Sequence, residues 1–234
     1  REDRGAARRL AFRGVQGQMH GWVESIPAFP GSRLGLGYPE AIGDAARAVW
    51  FGGLEPRWEE RADGTWRCEG RRDGELSYEL TVTPGTDSVD FRYRLKNESD
   101  RPWARSLAFN CVQCGMIPEV RDHECLRTWV RAEGKLRRLV EVPRRFGPRP
   151  AIQLYSVEGA PRGADIPFVA GFRSTPEAVV EGWIAVASRD GKRLVATVSK
   201  PALFLFQNME YGCIHSGTDL GALGPGEVGE GRNR

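Results

Sequence analysis

Apolar and polar residues alternate most cleanly between Glu75 and Lys96. Leu76, Tyr78, Leu80 and Val82 take every second position, and so do Val89, Phe91, Tyr93 and Leu95. A period of two places each apolar set on one face of a strand. Thr83-Pro-Gly-Thr-Asp87 supplies the turn between them, so the segment predicts a hairpin with one face on a core and one in water. Asn97-Glu-Ser-Asp-Arg-Pro102 makes a further turn, and a strand follows from Trp103 to Gln113. Cys125–Val130 and Leu136–Val142 predict a second hairpin around Glu133-Gly134. Trp183–Ser188 and Leu194–Ser199 predict a third around Asp190-Gly191, and Asp-Gly is a strong hairpin signal. Leu203–Phe206 and the stretch 208–216 read as further strands. Gln16–His20, followed by Trp22, reads as an edge strand in an otherwise irregular start. Pro39–Trp50, with Ala41, Ile42, Ala45, Ala46, Ala48 and Val49, reads as the one helix, stopped by Gly52-Gly53. Pro143–Pro150 reads as a loop, Gly221–Glu227 as a turn and the charged last residues as a frayed end.

About ten strands without βαβ alternation predict an all-β, mostly antiparallel sandwich with at most one or two short helices. No repeat of fixed period and no composition break divides the 234 residues, so they read as one large β domain. The 29 Gly and 15 Pro are spread along the chain, as many short strands joined by turns require.

Charge narrows the function classes. There are 34 basic and 31 acidic residues, a formal net charge of +3, too balanced to point to nucleic acid. The pairs Arg8-Arg9, Arg71-Arg72, Arg137-Arg138 and Arg144-Arg145 lack interleaved aromatics and read as solvated arginines. No apolar run approaches the roughly 20 residues of a membrane span. Five cysteines in a large domain are not a disulfide framework; they read as reduced thiols or as one bridge with spares, and the usage slightly favours a cytoplasmic setting.

The richest polar cluster is Asn208-Met-Glu-Tyr-Gly-Cys213-Ile-His215-Ser216. In an extended strand Cys213 and His215 share a face. Asp122-His123-Glu124-Cys125, followed by Arg127, repeats the His/Cys spacing of two. His123, Cys125, Cys213 and His215 together hold the donor inventory of a tetrahedral zinc site, although neither pair has zinc-finger spacing. Buried cysteines and hydrogen-bonded histidines are the plainer reading. Cys111-Val-Gln-Cys114 is a single CxxC without a βαβ context, and both thiols read as structural. There is no Gly-x-Ser-x-Gly elbow, no phosphate-binding loop and no dinucleotide fingerprint, which excludes a nucleotide cofactor. General acid–base chemistry remains, with His215, His123, Glu210 and Tyr211 as its candidates and His20 as a third histidine.

The segment Val89–Trp103, VDFRYRLKNESDRPW, resembles a strand–turn element of galactose-mutarotase-like β-supersandwich proteins. The ending CIHSGTDLGALGPGE is similar to the close of uncharacterised bacterial β-sandwich proteins. The resemblance implies a twisted sandwich that binds carbohydrate on a concave sheet lined by the strand SLAFNCVQCG. If the protein is an enzyme, the polar clusters make His215 or His123 the acid–base residue with Glu210 and Tyr211, as in an epimerase, lyase or glycosidase. Arg127, Asn110, Gln113 and Asn208 recognise the sugar. The rival readings are a non-catalytic carbohydrate-binding module, a metalloprotein built on the two His/Cys pairs, and a structural domain of a larger assembly.

Overall fold

The computed structural model describes residues 8–47, 49–50, 53–143, 153–160 and 173–234. The elements are β1 (Ala11–Gly14), β2 (Gly21–Glu24), β3 (Leu34–Asp44), β4 (Val49–Trp50), β5 (Arg57–Glu60), β6 (Trp66–Arg72), β7 (Leu76–Pro84), β8 (Val89–Asn97) and β9 (Trp103–Val112). They continue as β10 (Thr128–Ala132), β11 (Lys135–Arg138), β12 (Gln153–Val157), β13 (Arg173–Val180), β14 (Trp183–Ala187), β15 (Leu194–Lys200), β16 (Ala202–Asn208), β17 (Cys213–Leu223) and β18 (Val228–Asn233). The helical content among the described residues is two single 3₁₀ turns, Cys114–Met116 and Leu139–Glu141. The chain is all-β, and among the described pairings only β12–β13 is parallel. No helix among these residues is long and apolar enough to cross a membrane.

The strands form one continuous hydrogen-bonded surface that folds over on itself. One layer runs β1-β2-β3-β9-β17-β16-β12-β13. The other runs β5-β6-β7-β8-β18-β15-β14-β10, with β11 on the edge of β10. The pairing Ala132↔Val180 joins the layers at one side.

The alternating hairpin is β7–β8, in register from Leu76↔Asn97 to Pro84↔Val89. Its apolar positions are the buried ones: Leu80, Val82, Tyr93 and Leu95 are fully enclosed. The β10–β11 hairpin closes at Ala132↔Lys135, with positive φ at both Glu133 and Gly134 as a two-residue primed turn requires. The turn after β8 is stitched by the buried Asn97. Its side-chain oxygen accepts from the Ser99 amide, and its Nδ2 donates to the carbonyls of Arg101 and Leu223.

Between the layers lies a buried polar network. Tyr93 on β8 donates to Asn110 on β9 at 2.6 Å, and Asn110 donates to Thr218 on β17 at 2.9 Å. Tyr38 on β3 bonds Thr197 on β15 at 3.0 Å. Asn233 on β18 donates to both Ser199 and Ser216 and accepts from Thr197, at 2.8, 2.9 and 3.1 Å. Inside a low-dielectric core such bonds must be complete, and together they fix how the layers face each other.

Several expectations give way. The described residues of Pro39–Trp50 do not form a helix. Leu34–Asp44 is a strand, nearly all of it buried, with Ala41 and Ile42 paired against Phe109 and Ala108. A strand covered on both faces loses the alternation that marks a half-exposed one. Its alanines then read as helix-formers until cross-strand pairing overrides propensity. The C-terminus does not fray either. It is β18, which pairs with β8 from Val228↔Lys96 to Asn233↔Phe91. Its inward positions are Gly229, Gly231 and Asn233 rather than apolar residues. A Cβ at Gly229 would lie 2.0 Å from the Leu220 carbonyl oxygen, so only glycine lets β18 press against β17. Gln16–His20 is a turn, and the edge strand begins at Gly21. β17 starts at Cys213, not at 208, and runs to Leu223. The expected loop at Pro143–Pro150 and the pair Arg144-Arg145 lie outside the described residues, apart from Pro143.

The network predicts a stability cost at the chain's end. Replacing Asn233 by Ala removes three buried hydrogen bonds, although Ser199, Ser216 and Thr197 keep their bonds to one another, to Tyr38 and to Thr218. The variant is expected to lose about 1–3 kcal/mol in urea unfolding. A loss below about 0.5 kcal/mol, the size of a neutral surface change, would show that the network does not hold β18.

Candidate active site

Four neighbouring strands build one row of side chains on the face of their layer that points away from the network. His215 on β17 stands opposite Cys111 on β9 and Phe206 on β16. Cys111 stands opposite Gly37 on β3. Between Gly37↔Cys111 and Ala41↔Phe109 the β3 register shifts, so Tyr38, Pro39 and Glu40 together face only Asn110. This bulge brings Glu40 into the row, a usual role of bulges. The Glu40 stem lies back over Gly37, where a Cβ would meet Glu40 Cγ at 2.4 Å and Cys111 Cβ at 3.3 Å. Gly37 thus opens the space that Glu40 fills beside Cys111.

The three functional groups converge. Glu40 Oε2 lies 3.7 Å from His215 Nε2. The Cys111 thiol hydrogen-bonds the Glu40 carboxyl and also touches Cys213. Taking one donor atom from each, Glu40, Cys111 and His215 lie within 4.8 Å of one another, the one such His/Cys/carboxylate group among the described residues. The His215 ring is clamped in place, stacked on Phe206 at 4.0 Å and 3° and on Phe109 at 5.3 Å.

Burial sets the protonation states. It pushes the Glu40 carboxyl up to about 7, against the pull of the Cys111 hydrogen bond. It pushes His215 down to about 3, and the neighbouring backbone of Phe206 and Cys213 offsets only part of this. His215 is therefore a neutral imidazole at neutral pH. Its approach to Glu40 is a contact between a carboxyl and an uncharged ring rather than an ion pair. Cys111 is raised by its bond with Cys213 and by burial, and Cys114, behind it, by burial. Both thiols are protonated at neutral pH and poor nucleophiles.

The row floors a cavity of ≈ 570 Å³, within the range of small-molecule sites. Gln113 and Asn208 line its sides, and Met116 and the exposed Tyr211 stand at its mouth. The mouth is set by a close backbone contact, since a Cβ on Gly115 would lie 2.1 Å from the Tyr211 carbonyl oxygen. A larger hollow of ≈ 840 Å³ lies against β6, β7 and β8. There Arg67 pairs with Glu69 and Glu79, as on an ordinary solvated face.

The residues singled out from sequence separate into two groups. His215, Cys213, Gln113, Asn208 and Tyr211 all line the cavity. The Asn208 side-chain oxygen, however, is engaged by the amides of Glu210 and Tyr211 and shapes the β16–β17 turn. Asn110 sits on the opposite face, in the interlayer network. Glu210 points to solvent from that turn. His123 bonds the Met209 carbonyl through Nδ1 at 2.8 Å. Arg127 spends its guanidinium on the carbonyls of Glu119, Arg121 and Ala187. His20 packs edge-on against Trp22. No three of His123, Cys125, Cys213 and His215 come within 4.8 Å of one another, so the two His/Cys pairs do not form one site. Same-face geometry explains half of this. Cys213 and His215 do point together, but His123 and Cys125 belong to a loop behind the β16–β17 turn. Glu40 carries no motif and Cys111 reads from sequence as a structural thiol, yet both belong to the row. The available signal was a lone glutamate in an otherwise apolar run, Leu34 to Ile42. No family model, no curated protein and no solved structure matches the chain.

The two perturbed groups give opposite pH dependences. Glu40 holds its proton to about pH 7 when folded and releases it near 4.5 when unfolded. Its contribution is complete below pH 4.5 and is lost as pH rises through 7. His215 stays neutral to about pH 3 when folded and takes a proton near 6.5 when unfolded. Its contribution is complete above 6.5 and is lost as pH falls toward 3. Relative to Glu40→Gln, the wild type should therefore lose about 3 kcal/mol between pH 4.5 and 7.5 in metal-free buffer. Parallel stability curves for the two proteins would refute the burial of an ionisable Glu40 in this row.

Proposed function

We propose that the cavity over β3, β9, β16 and β17 is the active site of an enzyme acting on a small polar ligand of the carbohydrate class. The observation that carries this reading is the row itself: a carboxyl, a thiol and an imidazole on the floor of a ligand-sized cavity, under an exposed Tyr211 and the amide of Gln113. An aromatic face at the mouth suits the apolar face of a sugar ring, and an amide suits its hydroxyls. The resemblance of Val89–Trp103 to galactose-mutarotase-like proteins supports the same class. Among the described residues lining the cavity Glu40 is the single carboxylate. Glycoside cleavage by the usual pair of carboxylates is therefore disfavoured. Epimerisation or lyase-type chemistry, which needs one carbon–hydrogen bond broken beside a polarised oxygen, fits better.

The test is turnover of a panel of neutral and acidic monosaccharides and short oligosaccharides, followed by NMR. Tyr211→Ala is expected to weaken binding roughly tenfold, about 1.4 kcal/mol. Glu40→Gln is expected to lower turnover by about 10²–10⁴-fold. Saccharide affinity without turnover would replace the enzyme by a non-catalytic binding module. No affinity for any member of the panel would reject the carbohydrate class.

A further inference from the structure

We propose that Glu40, Cys111 and His215 bind one divalent ion of the zinc class, with a coordination position left open to the cavity. This goes beyond the preceding reading and stands whether or not the ligand is a saccharide.

The donor set is the first ground. A carboxylate oxygen, a thiolate sulfur and an imidazole nitrogen are the three ligand types that zinc takes from proteins. Three protein ligands and one open position is the pattern of catalytic rather than structural zinc.

Geometry is the second. With bond lengths of about 2.0–2.3 Å, tetrahedral ligand atoms stand roughly 3.3–3.8 Å apart. Glu40 Oε2 and His215 Nε2 are 3.7 Å apart, and the Cys111 sulfur joins them within 4.8 Å. At 3.7 Å the Glu40–His215 pair is too long for a hydrogen bond, so the two atoms face each other across a gap of the width a bridging cation needs. The donors are also held rigidly. Each comes from a different paired strand of one layer, and the His215 ring packs on both Phe206 and Phe109, which also stack on each other.

Charge is the third. Glu40 and Cys111 together carry two negative charges when both ligate, the imidazole carries none, and a divalent ion makes the site neutral. Buried anions persist where they are paired or hold a metal. Binding is balanced by proton release: the Cys111 S–H bond is broken, a metal–sulfur bond forms, and that proton, with any proton on Glu40, passes to solvent. All three donors line the cavity, so the remaining position is on its side. There the ion would hold a water or a substrate oxygen. Cys213 touches the Cys111 sulfur but lies outside the three-donor group. It serves as hydrogen-bond partner to Cys111, not as a ligand.

The test is titration of the full chain, stripped by chelator, with Zn²⁺ and with Co²⁺. One equivalent of metal per chain is expected, and Co²⁺ should show a thiolate-to-metal absorption band in the near ultraviolet. Cys111→Ser is expected to abolish that band. Glu40→Gln should weaken binding by more than the roughly 10–100-fold that changes behind a ligand cost. Cys213→Ser and His123→Ala should keep both stoichiometry and band. The wild-type spectrum reports a thiolate ligand without any variant, and circular dichroism shows which variants fold. Absence of stoichiometric metal, a band that survives Cys111→Ser, or loss on Cys213→Ser equal to that on Cys111→Ser would each overturn the proposal. Stoichiometric metal without recognition of any saccharide would leave this inference standing and remove the carbohydrate reading. Saccharide turnover by a protein that takes up no metal would do the reverse.

Discussion

The buried hydrogen-bond network between the layers is the constraint on which the rest depends. Three of its members sit within two residues of the site. Asn110 precedes Cys111 on β9, Ser216 follows His215 on β17, and Tyr38 lies two before Glu40 within the β3 bulge. Because side chains alternate along a strand, Asn110 and Ser216 face inward where Cys111 and His215 face the cavity, and the β3 bulge separates Tyr38 from Glu40. A one-residue slip would exchange the two sets and leave thiol and imidazole in the core with amide and hydroxyl outside. An apolar core would tolerate such slips more readily, since many apolar pairings are nearly equivalent. Eight polar residues that must all find partners do not. The network therefore sets the register, and the register assembles the row Glu40, Cys111, His215.

The C-terminal strand closes this arrangement. Asn233 bonds to two strands at once, joining β15 and β17 through Ser199, Thr197 and Ser216. Gly229 and Gly231 carry no side chains, and their absence lets β18 lie close enough to β17 for these bonds to form. Rigidity on the inner face is matched by aromatic packing on the outer one, where Phe109 and Phe206 hold the imidazole. The site is thus supported from both sides of a single sheet, and its floor needs no loop to position it. Its mouth does, and there Gly115 and Tyr211 bring the 3₁₀ turn and the β16–β17 turn into contact.

Much of the fold was legible in the sequence because half-buried hairpins announce themselves. Leu76 to Leu95 alternates, and Glu133-Gly134 and Asp190-Gly191 mark tight turns. What was not legible has a common cause. β3 is covered on both faces, so its period is hidden, and it reads as a helix. β18 turns glycine and asparagine inward, so it reads as a tail. The first of these causes also hides the site. Glu40 stood inside the supposed helix, and without it Cys111 had no evident partner. His215, Cys213, Gln113 and Tyr211 were found because a rare histidine among polar neighbours stands out in any reading. Their relation to Glu40 is a product of pairing between strands about seventy to one hundred and seventy residues apart, which no local pattern carries.

The most direct measurement is a crystal structure of the zinc-exposed protein with anomalous diffraction collected at the zinc edge. One anomalous peak is expected, bonded to Glu40, Cys111 and His215, with Asn110 still bonded to Tyr93 and Thr218, and Ser216 to Asn233, on the opposite face. A peak held by other residues, or a register in which Asn110 rather than Cys111 faces the cavity, would contradict it.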